Sequence, residues 1–168
     1  TMAFTFSKVE PVVVIGGGFA GLTTAIELSQ CNPRPQVFLI EPRKRFIFSP
    51  FLYELLSGEL KLWEVAPTYE SVLVHKGISL IEDSVEAIDT DLQKVFTASG
   101  LCFKYSQVVI CTGSRPNDFS IKGVKEYALT FHKLEDVEKV KRLIYQLKFS
   151  SDTREPLIIV GAGASGIE

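Results

Sequence analysis

The chain has 168 residues, 46% of them hydrophobic and 23% charged, a composition that belongs to a folded globular domain and excludes a disordered segment. Lysines and arginines number 18 against 20 aspartates and glutamates, and the net charge of −2 gives no basic footprint for nucleic acid. Mean hydropathy is +0.19, yet no uncharged apolar run reaches the ~18–20 residues that cross a bilayer, and no secretory signal is expected.

The first element is the β-branched run Pro11-Val-Val-Val-Ile15, read as a buried strand, followed at once by the glycines of GGGFAGL, residues 16–22. Phe19 to Cys31 reads as a helix, with Leu22, Ala25, Ile26 and Leu28 on a spacing of three and four, stopped by Asn32-Pro33-Arg34-Pro35. Val37-Phe-Leu-Ile40 is a second buried strand, ending at Glu41. Strand, glycine turn, helix and strand in this order predict two parallel strands joined by a right-handed crossover.

Residues 42–62 are rich in aromatics, contain Pro50 and Gly58, and are more than a simple connector. Trp63 to Lys76 reads as a helix interrupted near its start by Pro67. Three alternating runs, Ile78–Ile81, Ser84–Ile88 and Lys94–Thr97, with a turn at Ser99-Gly100, predict an antiparallel meander over 78–105. Val108–Ile110 is another buried strand and Cys111–Asn117 its exit loop. Lys133–Leu147 reads as an amphipathic helix, 150–155 as a polar linker, and Leu157–Val160 with GAGASG as a second strand and glycine turn. The fold class expected is α/β, Rossmann-like, with a parallel sheet, helices on both faces and an inserted antiparallel meander. Residues 2–150 would form a first nucleotide-binding domain, and 151–168 the linker and opening strand of a second that is cut short, so a fragment of a longer protein is expected.

Gly16-x-Gly18-x-x-Gly21 carries the first chemistry. The first glycine permits a tight turn, the second lets backbone approach a pyrophosphate, and the third lets helix and strand pack closely. The phosphates then lie on a helix N-terminus, where N–H groups and the dipole favour anions. The context agrees: a strand precedes, a helix follows, and Glu41 lies 20 residues beyond Gly21, where a ribose-binding carboxylate is expected. Gly161-x-Gly163-x-x-Gly166 repeats the device 145 residues after the first, which suggests two nucleotides, one tightly held and one exchangeable. In Val108–Asn117 a buried strand ends at Thr112-Gly113, the kind of position beyond a strand's carboxyl end where open α/β sheets bind ligands.

GGGFAG, Glu41, ICTGSRPN and GAGASGIE, in this order, resemble the flavoproteins with two dinucleotide-binding domains. Within them, FIFSPFLYELLSGELKLWEVAP, residues 46–67, is similar to the type II NAD(P)H:quinone oxidoreductases of the cyanobacterial and plant-plastid branch. The resemblance implies an FAD prosthetic group, NADH or NADPH as the hydride donor, and a quinone of plastoquinone or naphthoquinone type as the acceptor, without proton pumping. It implies that Gly16, Gly18, Phe19, Ala20 and Gly21 hold the FAD pyrophosphate, that Glu41 binds the adenosine ribose, and that Arg43 lies near the adenine. Pro50 would approach the isoalloxazine, Val85 the adenine, and Thr112 and Gly113 the flavin cleft. Gly161, Gly163 and Gly166 would take the NAD(P)H pyrophosphate, and Glu168 would be the acidic residue between nicotinamide and flavin. It also implies a peripheral protein on the cytoplasmic face of a bacterial or thylakoid membrane, anchored through a C-terminal region beyond this chain, with a homodimer as an expected assembly.

Cys31, Cys102 and Cys111 are odd in number and widely spaced, which fits neither a disulfide ladder nor a metal cluster and suits a reducing compartment. Residues 43–58 hold no cysteine, which excludes the dithiol relay of the disulfide reductases that share this arrangement. A sulfide:quinone oxidoreductase on the same scaffold is an alternative, since its cysteines can lie later in the chain. A flavin-binding module without turnover is another. Smaller features have plain readings: His75 closes a helix, His132 lies on the surface, Cys111 is a small buried thiol, and Trp63 packs in the aromatic segment. Arg43-Lys44-Arg45 reads equally as a phosphate-steering cluster and as a solvated turn.

Overall fold

The structure, a computed structural model, describes residues 10–149 and 156–161. The chain divides into two compact units, Thr1–Phe46 with Thr68–Ser114, and Ile47–Pro67 with Arg115–Glu168.

The first unit is built on β1 (Val12–Ile15), β2 (Val37–Ile40), β3 (Ile78–Ile81) and β7 (Gln107–Ile110), in the order β3-β2-β1-β7. Every pairing is parallel. A central parallel strand is covered on both faces, so it reads as an unbroken apolar run, and all four residues of β1 are buried. The side-chain alternation divides the core in two. On one face Val14, Val37 and Leu39 meet Leu22 and Ala25 of α1 (Phe19–Gln30) and Tyr69 and Leu73 of α4 (Tyr69–Leu73). On the other, Val13, Ile15 and Ile40 meet Val95 and Tyr105, with Ile88, Phe103 and Val108 at the margin.

That second face belongs to a three-stranded antiparallel sheet of β4 (Val85–Asp89), β5 (Lys94–Thr97) and β6 (Cys102–Lys104). The parallel sheet with helices and an inserted meander is therefore present, but the meander covers the face where helices were expected. Of the three runs expected in it, Ser84–Ile88 and Lys94–Thr97 are there as β4 and β5, and its third strand is β6 instead of the first run. Ile78–Ile81 pairs with Val37–Ile40 as the parallel edge strand. Its alternation is what a half-covered edge strand shows in either kind of sheet, so the pattern does not distinguish them. Asp83 closes the β3–β4 turn, accepting from Ser84 N–H at 2.8 Å and from the Ser99 hydroxyl and N–H of the turn between β5 and β6.

The expected helix over 63–76 is two helices, α3 (Leu62–Val65) and α4. Pro67 donates no hydrogen bond and pushes Ala66 out of the helical region, to φ −136° and ψ 71°. Thr68 restarts the chain as N-cap, its hydroxyl accepting from Ser71 N–H at 3.2 Å. Trp63, expected to pack, is 64% exposed.

In the second unit a 3-10 turn (Ser49–Phe51) leads into α2 (Leu52–Ser57), and α3, α5 (Val124–Tyr127) and α6 (Leu134–Phe149) follow. Leu52, Val65 and Val137 form its core. Asp136 secures the start of α6, accepting from the N–H groups of His132 and Lys133 and from the Thr130 hydroxyl, all at 3.0 Å. Leu157–Val160, expected as a strand, pair with no strand among the described residues and are exposed. The expected boundary near residue 150 lies outside the described residues.

Candidate functional site

The register brings the strand ends level. Ile15 stands beside Ile40 on one side and Ile110 on the other, and Ile40 beside Ile81. The ladder runs one residue further: Gly16 N–H donates to Ile40 C=O at 2.9 Å, Glu41 N–H to Ile81 C=O at 3.0 Å, and Cys111 N–H to Ile15 C=O at 2.7 Å. Gly16, Glu41 and Cys111 thus leave the sheet side by side at its carboxyl edge, which is where open α/β sheets place ligands.

The three glycines of the motif play different parts. Gly16 turns at φ +95°, and a Cβ there would collide with the Cys111 carbonyl. A Cβ on Gly21 would collide with the Gly16 carbonyl, so α1 can lie this close to β1 only without one. A Cβ on Gly18 would find no atom within 4 Å. The backbone at Gly18, the N-cap of α1, is therefore open on that side, and the donors of the first helical turn face an approachable surface. Phe19 and Ala20 open α1 beside it, both exposed. Thr112 and Gly113 are exposed in the loop after β7, with Thr112 Cα next to the Gly16 turn.

Glu41 is only 2% exposed, and its carboxylate is fully engaged. One oxygen accepts Gly17 N–H at 2.7 Å and Arg43 Nη2 at 3.0 Å; the other accepts Arg43 N–H at 2.9 Å and Arg43 Nε at 2.7 Å. Burial alone would raise its pKa. The Arg43 guanidinium and the N–H groups of Arg43 and Gly17 outweigh that and hold the carboxyl below its ordinary value. Arg43 lies across Glu41 with half of its own side chain in solvent. Of the two readings of Arg43-Lys44-Arg45, the structure gives Arg43 a specific partner.

Two residues missed by sequence reasoning complete the loop. A Cβ on Gly17 would come within 2.5 Å of the Tyr69 hydroxyl and 2.9 Å of Glu41 Cγ. The Tyr69 hydroxyl, fully buried, donates to the Gly17 carbonyl at 2.6 Å. Burial, and then the charge of Glu41, push the phenol well above its ordinary pKa, so it stays a donor at any physiological pH. The unbroken run Gly16-Gly17-Gly18 was the one sequence signal for Gly17; nothing local to residue 69 pointed to the tyrosine.

The remaining expected site residues are less gathered. Val85 opens β4, half-buried at the margin of the core under the second sheet face. Pro50 belongs to the second unit, where it lines a cleft of about 200 Å³ with Ser49, Leu52, Tyr53, Phe131 and His132. Gly161 is exposed. Gly163, Gly166 and Glu168 lie outside the described residues.

The sequence pattern of the pyridine nucleotide-disulphide oxidoreductases matches residues 10–168. The chain belongs to this family. As a pyridine nucleotide-disulphide oxidoreductase it is 36% identical over 167 residues to the demethylphylloquinone reductase NdbB of Synechocystis, a match covering 94% of this chain and 41% of that protein. It is 31% identical over 188 residues to the alternative NAD(P)H-ubiquinone oxidoreductase C1, chloroplastic/mitochondrial, of Arabidopsis thaliana, covering all of this chain and 36% of that protein. The X-ray structure of the sulfide:quinone oxidoreductase of Aquifex aeolicus superposes with a TM-score of 0.77 at 29% identity, over 85% of this chain and 33% of that one. The chain thus spans about two fifths of the length of the curated relatives it matches. The three cysteines are free, with Cys31 and Cys102 exposed and Cys111 half-buried where a buried small thiol was expected.

Proposed function

We propose that the chain is the FAD-binding part of an NAD(P)H:quinone oxidoreductase. The observation that carries the reading is the level carboxyl edge of the sheet, where the open Gly18 backbone, the start of α1 and the carboxylate of Glu41 converge. Such an edge fits an adenine dinucleotide: backbone donors for the pyrophosphate and a fixed acid for the ribose hydroxyls.

In this reading Gly16, Gly18, Phe19, Ala20 and Gly21 hold the pyrophosphate of FAD and Glu41 the adenosine ribose. Because the four acceptor positions of the carboxylate are filled, the half-exposed Arg43 side chain would give way to the ribose and lie toward the adenine, with Val85. Thr112 and Gly113 would border the flavin. Bound FAD supplies two-electron redox chemistry, accepting hydride from NADH or NADPH and passing electrons to a quinone. The protein's share is to orient the flavin and keep the nicotinamide in register with it. Gly161, Gly163, Gly166 and Glu168 would serve the second nucleotide, in a second domain beginning near residue 151. Support for the quinone comes from the names of the relatives matched along nearly the whole chain. No helix among the described residues is long and apolar enough to cross a membrane. A protein of this class would lie peripherally on the cytoplasmic face of a bacterial or thylakoid membrane, where NAD(P)H is found.

The structural likeness to the Aquifex sulfide:quinone oxidoreductase favours a second reading, with sulfide as donor. Anaerobic absorbance on a protein carrying this chain at the length of its relatives separates the two. Flavin bleaching by NADH or NADPH, followed by fast recovery with a soluble naphthoquinone, is the expected result. Bleaching by sulfide and by neither nucleotide would overturn it.

A further inference from the structure

Tyr69 lies outside every glycine-motif position, 52 residues along the chain from Gly17, yet its hydroxyl reaches the centre of the loop. Gly17 is held at both of its backbone polar groups: its N–H by Glu41 at 2.7 Å and its C=O by Tyr69 at 2.6 Å. The Gly17–Gly18 peptide is trans, so the Gly17 carbonyl and the Gly18 N–H point in opposite directions. With the carbonyl drawn inward to a buried phenol, the Gly18 N–H is directed away from that phenol, at a residue where a Cβ would meet open space. The ring of Tyr69 is fixed in turn by an edge-on contact with Phe46 at 6.5 Å, and Phe46 by one with Phe19, the first residue of α1, at 5.2 Å.

We propose that Tyr69 is a positioning residue for the nucleotide: by fixing the Gly17 carbonyl inward it commits the Gly18 N–H to a pyrophosphate oxygen before the nucleotide arrives. The role rests on the dinucleotide reading of the edge. A preset donor spares the ligand the cost of ordering the loop, and a hydrogen bond to a charged acceptor is among the stronger ones.

The test is Tyr69→Phe, which keeps the ring and removes only the hydroxyl. Two measurements on the whole chain are needed. Without ligand, amide NMR of the wild type should show one sharp Gly18 resonance, shifted or broadened in Tyr69→Phe while the β1 and β2 resonances stay in place. With ligands, FAD and ADP should bind the variant about ten-fold more weakly, the size of one charge-assisted hydrogen bond, while adenosine, which lacks phosphate, should bind unchanged. An unmoved Gly18 resonance, or equal losses for FAD, ADP and adenosine, would overturn the proposal and leave Tyr69 a packing residue. A wild type that binds none of the three ligands would overturn the dinucleotide reading and the phosphate role with it. The ligand-free Gly18 resonance tells the two failures apart.

Discussion

Gly21 leaves no room for a methyl group, because a Cβ would overlap the carbonyl of Gly16. Gly21→Ala should therefore push α1 away from β1. The expected cost is about 1–3 kcal/mol, the range for overpacking a tight contact, read as a lower denaturant midpoint with an unchanged slope. Gly18→Ala, placed in open space, should leave stability nearly unchanged and weaken FAD binding instead. The surroundings of the two glycines match the different parts the motif gives them: open space at Gly18 and a tight helix–strand contact at Gly21. Gly16, Gly21 and Glu41 were legible in the sequence because motif spacing fixes their places on one strand–turn–helix–strand unit. Tyr69 was not, because its partner is a backbone carbonyl far along the chain and a local pattern carries no record of such a contact.

At the scale of elements, β1 and β2 were legible because nearly every residue along them is buried, and α1 because its buried residues recur on one face. β7, read as a buried strand, is partly exposed at the sheet edge, with Ile110 63% exposed. β3 was assigned to the wrong sheet because an edge strand shows the alternation of a meander strand. The meander's position over the second sheet face was hidden too, since nothing in its sequence names the surface it covers. The break at Pro67 was visible, but its consequence was not: it lets Thr68 start α4 afresh and so sets Tyr69 as the first residue of a helix. Thr68→Ala should cost about 1 kcal/mol through the lost cap. Because Tyr69 is the next residue, FAD affinity should fall with it, whereas Thr68→Ser should restore both. Thermal unfolding and FAD titration of the two variants check this.

For the whole molecule, the carboxylates link stability to pH. Hydrogen bonds from Ser99, and then Thr97, bring Asp83 down to about 2. Asp136 is also lowered: burial opposes it, but the His132 N–H, the Thr130 hydroxyl and the Lys133 N–H prevail. Glu41 is lowered through Arg43 and Gly17. A carboxyl whose pKa is lower in the folded state binds fewer protons there than when unfolded, so it stabilises above its unfolded pKa and loses that contribution as pH falls through its folded one. The melting temperature should therefore hold at neutral pH and drop between about pH 4 and about pH 2. Asp83→Asn should flatten part of that drop. The central claim is that this sheet edge binds FAD through both its phosphates and its adenosine, and titration of the chain with FAD and with FMN tests it most directly. FMN has one phosphate and no adenosine, so the account predicts that FAD binds far more tightly and that Glu41→Gln weakens FAD while leaving FMN untouched. Equal affinity for the two flavins, or FAD binding indifferent to Glu41, would contradict it.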